Sequence, residues 1–293
     1  MTIASGTSVP HKHISLGALL KEGFDAFIED HALTRGAAIA FYAVTAIAPV
    51  LFIATTVAGL FLGPDAASSA VRSQLVRVMT PQSADMVQFA IVHARRASHS
   101  LAGSLIGVFA VIFTASGVFT EIQDALNVIW EAPRNQSYFY QILRGRIMSL
   151  VLVIALGFLL MISMIFAGGL GVVGKLLGSH TTLSAFVVAS INVSLSFALV
   201  SVLFAVLYKI LPNKALSWRD VAVGAMGTAM LFEAGQALIA IYLSRIVYAN
   251  VYGAAAGVIV LLVWVYYAAQ IFLLGAEFTK VWARHYGSLQ NYS

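Results

Sequence analysis

Six long apolar stretches divide the chain, and charged side chains are almost absent from them. They cover residues 37–62, 101–120, 147–174, 183–208, 221–243 and 253–276. A helix needs about 20 apolar residues to cross the roughly 30 Å hydrocarbon core of a bilayer. Of the 17 basic and 12 acidic side chains in the chain, only Glu233 falls inside one of these stretches. The pattern predicts an all-α, polytopic membrane protein with six transmembrane helices, because a helix satisfies its own backbone in lipid.

The composition supports this class and narrows the chemistry. The 293 residues are 60% hydrophobic and 10% charged, whereas an ordinary soluble domain has about 25% charged residues. There is no cysteine, which excludes disulfides, thiol nucleophiles and cysteine-ligated metals. The seven histidines do not have the spacing of a metal site. We therefore expect a protein that is not an enzyme and has no metal and no cofactor.

The basic residues predict the orientation of the six spans. An even number of spans places both termini on one side of the membrane, and that side carries 11 of the 17 lysine and arginine residues. The positive-inside rule then places both termini in the cytoplasm. We expect one membrane domain over residues 15–285, with tails at 1–14 and 286–293.

Two regions between the spans have helical patterns of their own. In residues 15–30 apolar side chains recur at helical spacing, opposite a charged face, and Ser15 can cap the start. This predicts an N-terminal amphipathic helix that lies on the inner membrane surface or packs against the bundle; a simple lead into the first span is an equal alternative. Residues 63–100 are divided by Pro81 and predict two short helices that cap the outer mouth.

Arg95 and Arg96 lie just before the second span, at the depth of the lipid head groups. They are candidates for contact with an anionic head group. The alternative is that they only anchor the end of a helix.

A small polar set lies at membrane depth. Glu233 is in the middle of the fifth span, Gln236 follows one turn later, and Asn192 lies in the fourth span. A carboxylate at the bilayer centre costs at least ~2.5 kcal/mol, so it should face the bundle interior or a wet cavity. Glu233 is either a proton-coupling or cation-binding group on a transport pathway, or a neutral carboxyl hydrogen-bonded to a neighbour such as Asn192.

A second polar set marks the inner ends of the spans. Its members are Arg35, which opens the first span, Glu277, which ends the sixth, and a group after the second: Glu121, Gln123, Asp124 and Asn127. They form either a cytoplasmic gate or an ion-paired rim, with Arg35 near enough to pair with either acidic group. Within the first span, Pro49 can kink the helix next to Tyr42, which makes Tyr42 a candidate cavity wall.

At these residues the chain resembles the YihY/virulence factor BrkB family of bacterial inner-membrane proteins, over about residues 20–285. The matching blocks are RGAAIAFYAVTAIAPVL (35–51), GVFTEIQDALNVIWEAP (117–133), LYKILPNKALSWRDVAVGA (207–225) and VYGAAAGVIVLLVWVYYAAQIFLLGAEF (251–278). The resemblance implies six helices with cytoplasmic termini in the inner membrane. The positions that match the family's recurrent residues are Arg35, Tyr42, Pro49, Gln123, Asp124, Asn127, Trp130, Tyr208, Pro212, Asn213, Tyr252, Gly253, Gly275 and Glu277.

Some members of the family carry the label ribonuclease BN, and others are linked to serum resistance or to export of lipid A precursors. RNA cleavage needs a metal-binding or acid–base cluster in a wet, basic groove, which the short cytoplasmic loops do not offer. We therefore expect a transporter or lipid flippase-like exporter of a lipid or amphiphile, with membrane lipids as partners and no nucleic acid. The alternative is a non-transporting membrane scaffold that maintains the envelope. Substrate, coupling ion and oligomeric state stay open.

Overall fold

A computed structural model describes the chain at residues 15–78, 84–85, 87–89, 91–93, 117–132, 182–214, 216–246 and 253–289. These residues contain helices and short connections and no strand. The helices are α1 (Leu16–Glu29), α2 (Ala32–Leu62), α3 (Pro64–Val78), α4 (Thr182–Ile210), α5 (Trp218–Ile246) and α6 (Gly253–His285). A further helical segment covers residues 117–129.

The long helices coincide with four of the predicted spans. The first, fourth, fifth and sixth spans lie within α2, α4, α5 and α6, and the third, like most of the second, lies outside the described residues. Among those residues, Val193–Ile210 and Leu261–His285 are long and apolar enough to cross a membrane, by length and composition alone. The all-helical class is confirmed for the described chain, while the count of six spans stays a prediction.

α6 is the central helix of the described bundle. It packs against α1, α2 and α5, and α5 packs in turn against α4. One apolar cluster fills the half of the bundle that contains the start of α2 and the end of α6, with Trp130, Tyr208 and Leu273 fully buried in it. A second cluster, around Leu75 and Leu261, packs α3 against α2 and α6 at the other half.

α5 and α6 approach closely because each presents a glycine to a threonine of the other. A Cβ added to Gly224 would overlap the Thr279 hydroxyl, and a Cβ added to Gly275 would overlap the Thr228 hydroxyl. Both hydroxyls are satisfied within their own helices, by donating to the main-chain oxygens four residues earlier. Tyr208 of α4 closes this contact by donating to the Phe272 main-chain oxygen at 2.7 Å.

α1 begins after Ser15, whose hydroxyl accepts from the Ala18 main-chain N–H at 3.3 Å. Its apolar residues divide between two faces. Leu19 and Phe27 are buried, whereas four others are exposed along the opposite side: Leu16, Leu20, Phe24 and Ile28. α1 packs against α6, where Gly23 lies next to the Phe278 backbone. Contact of the exposed face with a membrane surface stays a prediction.

The region between the first and second spans contains α3 and helical residues at 84–85, 87–89 and 91–93. Arg72 joins the two parts through an exposed ion pair with Asp85 at 2.8 Å. Pro81, Arg95 and Arg96 lie outside the described residues, as does the tail at 1–14. At the other terminus, residues 286–289 fold back, and Ser288 donates to Asp220 from both its N–H and its hydroxyl.

The close approach of α5 and α6 predicts that glycine-to-alanine substitutions at two positions of α5, one turn apart, change stability in opposite directions. Gly224→Ala places a methyl group against Thr279 and should destabilise the protein by about 1–3 kcal/mol. Gly227→Ala meets nothing within 4 Å and should stabilise the helix by about 0.5–1 kcal/mol. Thermal unfolding of the two detergent-purified variants measures both effects. Equal stability of the two variants would contradict the close approach of α5 and α6.

Candidate functional site

Most of the described polar contacts lie at one end of the bundle. This polar end consists of the α1–α2 junction, the 117–132 segment, the 211–217 loop between α4 and α5, and the last turns of α6. It brings together the predicted inner-rim residues from three separate parts of the chain. The polar end contains a loop clamp, an ion cluster and an open cleft.

The loop clamp uses two of the predicted gate residues. Gln123 Nε2 donates to the Leu211 main-chain oxygen at 3.0 Å, and Asn127 Oδ1 accepts from the Asn213 N–H at 2.8 Å. Lys214 Nζ donates to the Trp130 main-chain oxygen at 3.0 Å. These contacts hold the α4–α5 loop against the 117–132 segment, so the described hydrogen bonds of Gln123 and Asn127 are structural. Asp124 lies on the exposed side of the segment.

The ion cluster joins α6 to the 117–132 segment and to the α1–α2 junction. Lys280 Nζ lies 3.1 Å from Glu131 Oε1 and 4.0 Å from Asp30 Oδ2. Arg284 reaches the same Glu131 oxygen at 2.7 Å. Burial raises the pKa of Glu131, but the hydrogen bonds and charges of Lys280 and Arg284 outweigh it and hold the pKa below its usual value. Glu131 adopts a left-handed backbone, with φ of 50°, and these two cations offset the strain.

Glu277 lies one turn before Lys280 and is fully buried, at 0% exposure. Neither of its carboxyl oxygens has a hydrogen-bond partner among the described residues, and the same holds for Asp30 Oδ2. The charged groups that act on Glu277 are Asp30, Lys280 and Arg284. Of the two acidic groups that we expected Arg35 to approach, the structure places it beside Glu121.

The open cleft lies between the first turns of α2 and the 117–129 segment. It encloses about 450 Å³ and is lined by His31, Thr34, Arg35, Ala38 and Glu121. α2 starts here without a side-chain cap, because His31 at the N-cap adopts a left-handed backbone with φ of 55° and makes no capping bond. The positive end of the α2 dipole therefore faces the cleft.

Arg35 and Glu121 give the cleft its charge. Arg35 Nε donates to the Asp30 main-chain oxygen at 3.1 Å, and among the described residues its two Nη nitrogens have no hydrogen-bond partner. Burial, and then the charge of Asp124, raise the pKa of Glu121, while Arg35 lowers it, with a net rise. The cleft therefore holds one arginine, one histidine and one acidic residue beside the positive end of the α2 dipole.

Tyr42 lies one turn beyond Ala38 on the same side of α2, and its ring packs within 3.0 Å of the position that a Cβ on Gly117 would occupy. It therefore extends the wall of the cleft towards the membrane core. α2 runs without a break through Pro49 to Leu62. We predicted a kink at Pro49, and the side chain of Pro49 lies outside the described set. One turn before it, the Thr45 hydroxyl donates to the Tyr42 main-chain oxygen at 2.8 Å.

Glu233 lies apart from the polar end. Its Oε1 accepts from the Ser196 hydroxyl of α4 at 2.8 Å, so the described hydrogen-bond partner is Ser196. The side chain of Asn192 is outside the described set, and Gln236 is half-buried one turn along α5. The structure thus separates the predicted site residues into a mid-helix pair and a polar end.

Sequence reasoning missed Asp30, His31, Glu131, Lys280 and Arg284 as members of the site. The spacing of Lys280 and Arg284, four residues apart, was a signal that both face the same side of α6. The sequence did not indicate the left-handed backbones of His31 and Glu131, because neither residue is the glycine or asparagine usual for that conformation.

The helical architecture and the apolar spans, which contain a single charged residue, define a helical membrane protein. The sequence profile of the family named Virulence factor BrkB matches residues 24–292. The chain belongs to this family, as the sequence blocks predicted.

Several relatives of known sequence match most of the chain. It is 26% identical to the ribonuclease-like protein YfkH of Bacillus subtilis over 265 residues, covering 89% of this chain and 93% of that protein. The UPF0761 membrane protein of Glaesserella parasuis is 28% identical over 206 residues, 69% of this chain and 68% of that one. The corresponding Klebsiella pneumoniae protein is 31% identical over 206 residues, 68% and 66% of the two chains. No solved structure matches the chain.

The ion cluster predicts a pH-dependent contribution of Glu131 to stability. Because its pKa in the folded protein is below the ordinary value of 4.5, its stabilising effect is present above that value and is lost as the pH falls through the lowered pKa. Glu131→Gln should therefore lower the unfolding temperature at neutral pH and make little difference in strong acid. Glu29→Gln, an exposed position at the end of α1, is the control and should have little effect at either pH. Equal behaviour of the two variants would contradict the ion cluster.

Proposed function

We propose that this protein is a multi-pass transporter of the bacterial inner membrane, with both termini in the cytoplasm, that moves an amphiphile with an anionic head group. The observation that supports this most is the cleft at the start of α2. Arg35 and His31 contribute basic groups to its lining, and exposed apolar side chains of α2 lie beside it. A lipid-like molecule has the same two parts in the same order.

The electrostatics of the cleft favour an anion. Arg35 presents two Nη nitrogens that no described residue binds, in the fork geometry that matches a phosphate or carboxylate. His31 and the uncapped start of α2 lie beside it, and the helix dipole adds attraction for negative charge. Among the described residues that line the cleft, Glu121 is the only acidic one, and Arg35 acts on it with the opposite charge.

The surroundings of the cleft suit an acyl chain. Phe41, at 62% exposure, and Leu33, at 50%, lie on the outward side of α2, and Tyr42 continues the wall next to Gly117. An exposed apolar surface of this kind is disfavoured in water and stable in contact with lipid tails. A head group in the cleft would place its chains along this surface. The exposed apolar surface of α2 and the Arg35 guanidinium together favour a lipid over a water-soluble anion.

Reconstitution in liposomes tests the transport function. Vesicles containing the protein and a trace of fluorescent phosphatidylglycerol, or of fluorescent phosphatidylcholine as a zwitterionic comparison, are treated with an impermeant reductant that quenches only the outer leaflet. We expect the protein to accelerate transbilayer movement of the anionic lipid more than that of the zwitterionic one. Movement equal to that in protein-free vesicles for both lipids would contradict transport and favour the scaffold.

Arg35 variants test the cleft itself. Loss of a hydrogen bond to a charged group costs about 1.5–3 kcal/mol, so Arg35→Gln should slow movement of the anionic lipid by about tenfold or more. Arg35→Lys retains the charge without the fork and should have an intermediate effect. The matched control is Arg72→Gln, which removes an arginine from the exposed ion pair with Asp85 and should leave movement unchanged. Equal rates for Arg35→Gln and Arg72→Gln would rule out the cleft as the head-group site.

The orientation has its own test, which the absence of cysteine from the chain makes simple. Single cysteines replace Ser69 of α3 and Asp25 of α1, both of them exposed. An impermeant maleimide should label Ser69→Cys in spheroplasts with an intact inner membrane, and Asp25→Cys only after that membrane is permeabilised. Labelling of Asp25→Cys in intact spheroplasts, and of Ser69→Cys only after permeabilisation, would show that the termini lie outside the cytoplasm.

A further inference from the structure

The ion cluster, together with Glu277, contains one more acidic group than cations. Three carboxyl groups, of Asp30, Glu131 and Glu277, face two cations, of Lys280 and Arg284. Glu131 takes the short contacts of both cations, at 3.1 and 2.7 Å. Lys280 reaches Asp30 only at 4.0 Å. The described cations therefore leave the Asp30–Glu277 side of the cluster with excess negative charge.

Glu277 is the member of the cluster least able to carry that charge. It is fully buried, and both its oxygens lack a donor within the described part of the chain. Asp30 Oδ2, which has no hydrogen-bond donor among those residues either, belongs to the carboxyl group that acts most directly on Glu277. Two neighbouring carboxyl groups without a donor between them repel each other when both are ionised, and a shared proton turns that repulsion into a hydrogen bond.

The other titratable groups on the helices around α6 have hydrogen-bond partners of their own. On the α4 side the Tyr208 hydroxyl is occupied with the Phe272 main-chain oxygen and Thr228. On the α5 side Asp220 accepts from Ser288. On α1, Glu22 pairs with His285 at 2.9 Å. A proton taken up from solvent would supply the donor that the described residues lack.

We propose that Glu277 and Asp30 form a binding site for one proton, and that this proton controls the head-group cleft through the α1–α2 junction. The charge of the cluster supports this site. Three ionised carboxyl groups and two cations carry a net charge of −1, and one added proton makes the cluster neutral. The second part of the proposal rests on the proposed function.

Asp30 provides the mechanical link between the two sites. Its carboxyl group belongs to the proton site, while its main-chain oxygen accepts from Arg35 Nε in the cleft at 3.1 Å. The next residue, His31, has a left-handed backbone and lines the cleft. When the proton leaves, repulsion from Glu277 displaces Asp30, and the junction that positions His31 and Arg35 moves with it. Deprotonation therefore widens the cleft, and protonation keeps it in the form described above.

Infrared spectroscopy of the full-length purified protein tests the proton site directly. The wild type should show the carbonyl band of a protonated carboxyl group at neutral pH, and the band should disappear in alkaline buffer. Glu277→Gln should lose it. Asp30→Asn should also lose it at neutral pH, although Glu277 is intact, because the asparagine amide donates to a Glu277 carboxylate and removes the need for the proton.

The matched control is Asp85→Asn, which removes an exposed carboxylate at the far end of the bundle and should retain the band. A band that persists in both Glu277→Gln and Asp30→Asn would overturn the site, as would its absence from the wild type. Should Glu277→Gln not fold, Asp30→Asn alone decides, and persistence of the band in that variant would overturn a proton shared by the two carboxyl groups.

The thermal stability of the same proteins gives a second readout. A native state that holds a proton which the unfolded chain has released becomes less stable as the pH rises. The fall in unfolding temperature between neutral and alkaline pH should be smaller in Glu277→Gln than in the wild type, because glutamine imitates the protonated carboxyl. An equal fall in both would argue against a bound proton.

Labelling of a cleft residue tests whether the bound proton controls the cleft, independently of the test for the proton site. A single cysteine replaces Thr34, which lines the cleft, and its reaction with a maleimide is divided by that of Ser69→Cys at each pH. We expect this ratio to rise several-fold from neutral to alkaline pH and to stay flat when Glu277→Gln is added. A flat ratio in both backgrounds, with the infrared band present, would overturn the link to the cleft and leave the proton site. If no lipid moves in liposomes but the band behaves as expected, only the proposed transport fails.

Discussion

The burial of charge at the end of α6 is the constraint on which the rest of the polar end depends. α6 places Glu277 and Lys280 in the bundle interior and Arg284 at its edge. Each buried charge needs a partner, because an unpaired charge in a low-dielectric interior costs several kcal/mol. Glu131 and Asp30 are drawn to the helix end for this reason, and with them come the 117–132 segment and the α1–α2 junction. The position of the cleft follows from these two attachments.

The same helix explains why the cluster can be close-packed. Gly275 lies two residues before Glu277, and Gly224 faces Thr279 two residues after it. The absence of side chains at these two positions lets α5 and α4 approach α6 and exclude water from the carboxyl group. Tight packing and the unpaired carboxyl are therefore parts of one arrangement, since a looser contact would let water solvate Glu277 directly.

The sequence predicts the helical class and the approximate bounds of α2, α4, α5 and α6, because the exclusion of charge from these segments is a strong and local signal. It also identifies Arg35, Asn127 and Glu277 as rim residues. It does not predict their partners. The pairing of Asn127 with Asn213, or of Glu131 with Arg284, joins residues 86 and 153 positions apart, and no periodic pattern encodes such contacts. The division between clamp, cluster and cleft depends on tertiary packing.

The depth of Glu233 sets a limit on how the two polar sites can cooperate. Thirteen residues of α5 separate it from Asp220 at the polar end, which is about 20 Å along a helix axis. An anionic head group bound at Arg35 cannot contact Glu233 at the same time, and an ionised Glu233 would repel it at membrane depth. Glu233, which accepts from Ser196 at 2.8 Å, therefore belongs to a polar contact separate from the cleft. Any influence of one on the other would pass through the movement of helices and not through direct contact.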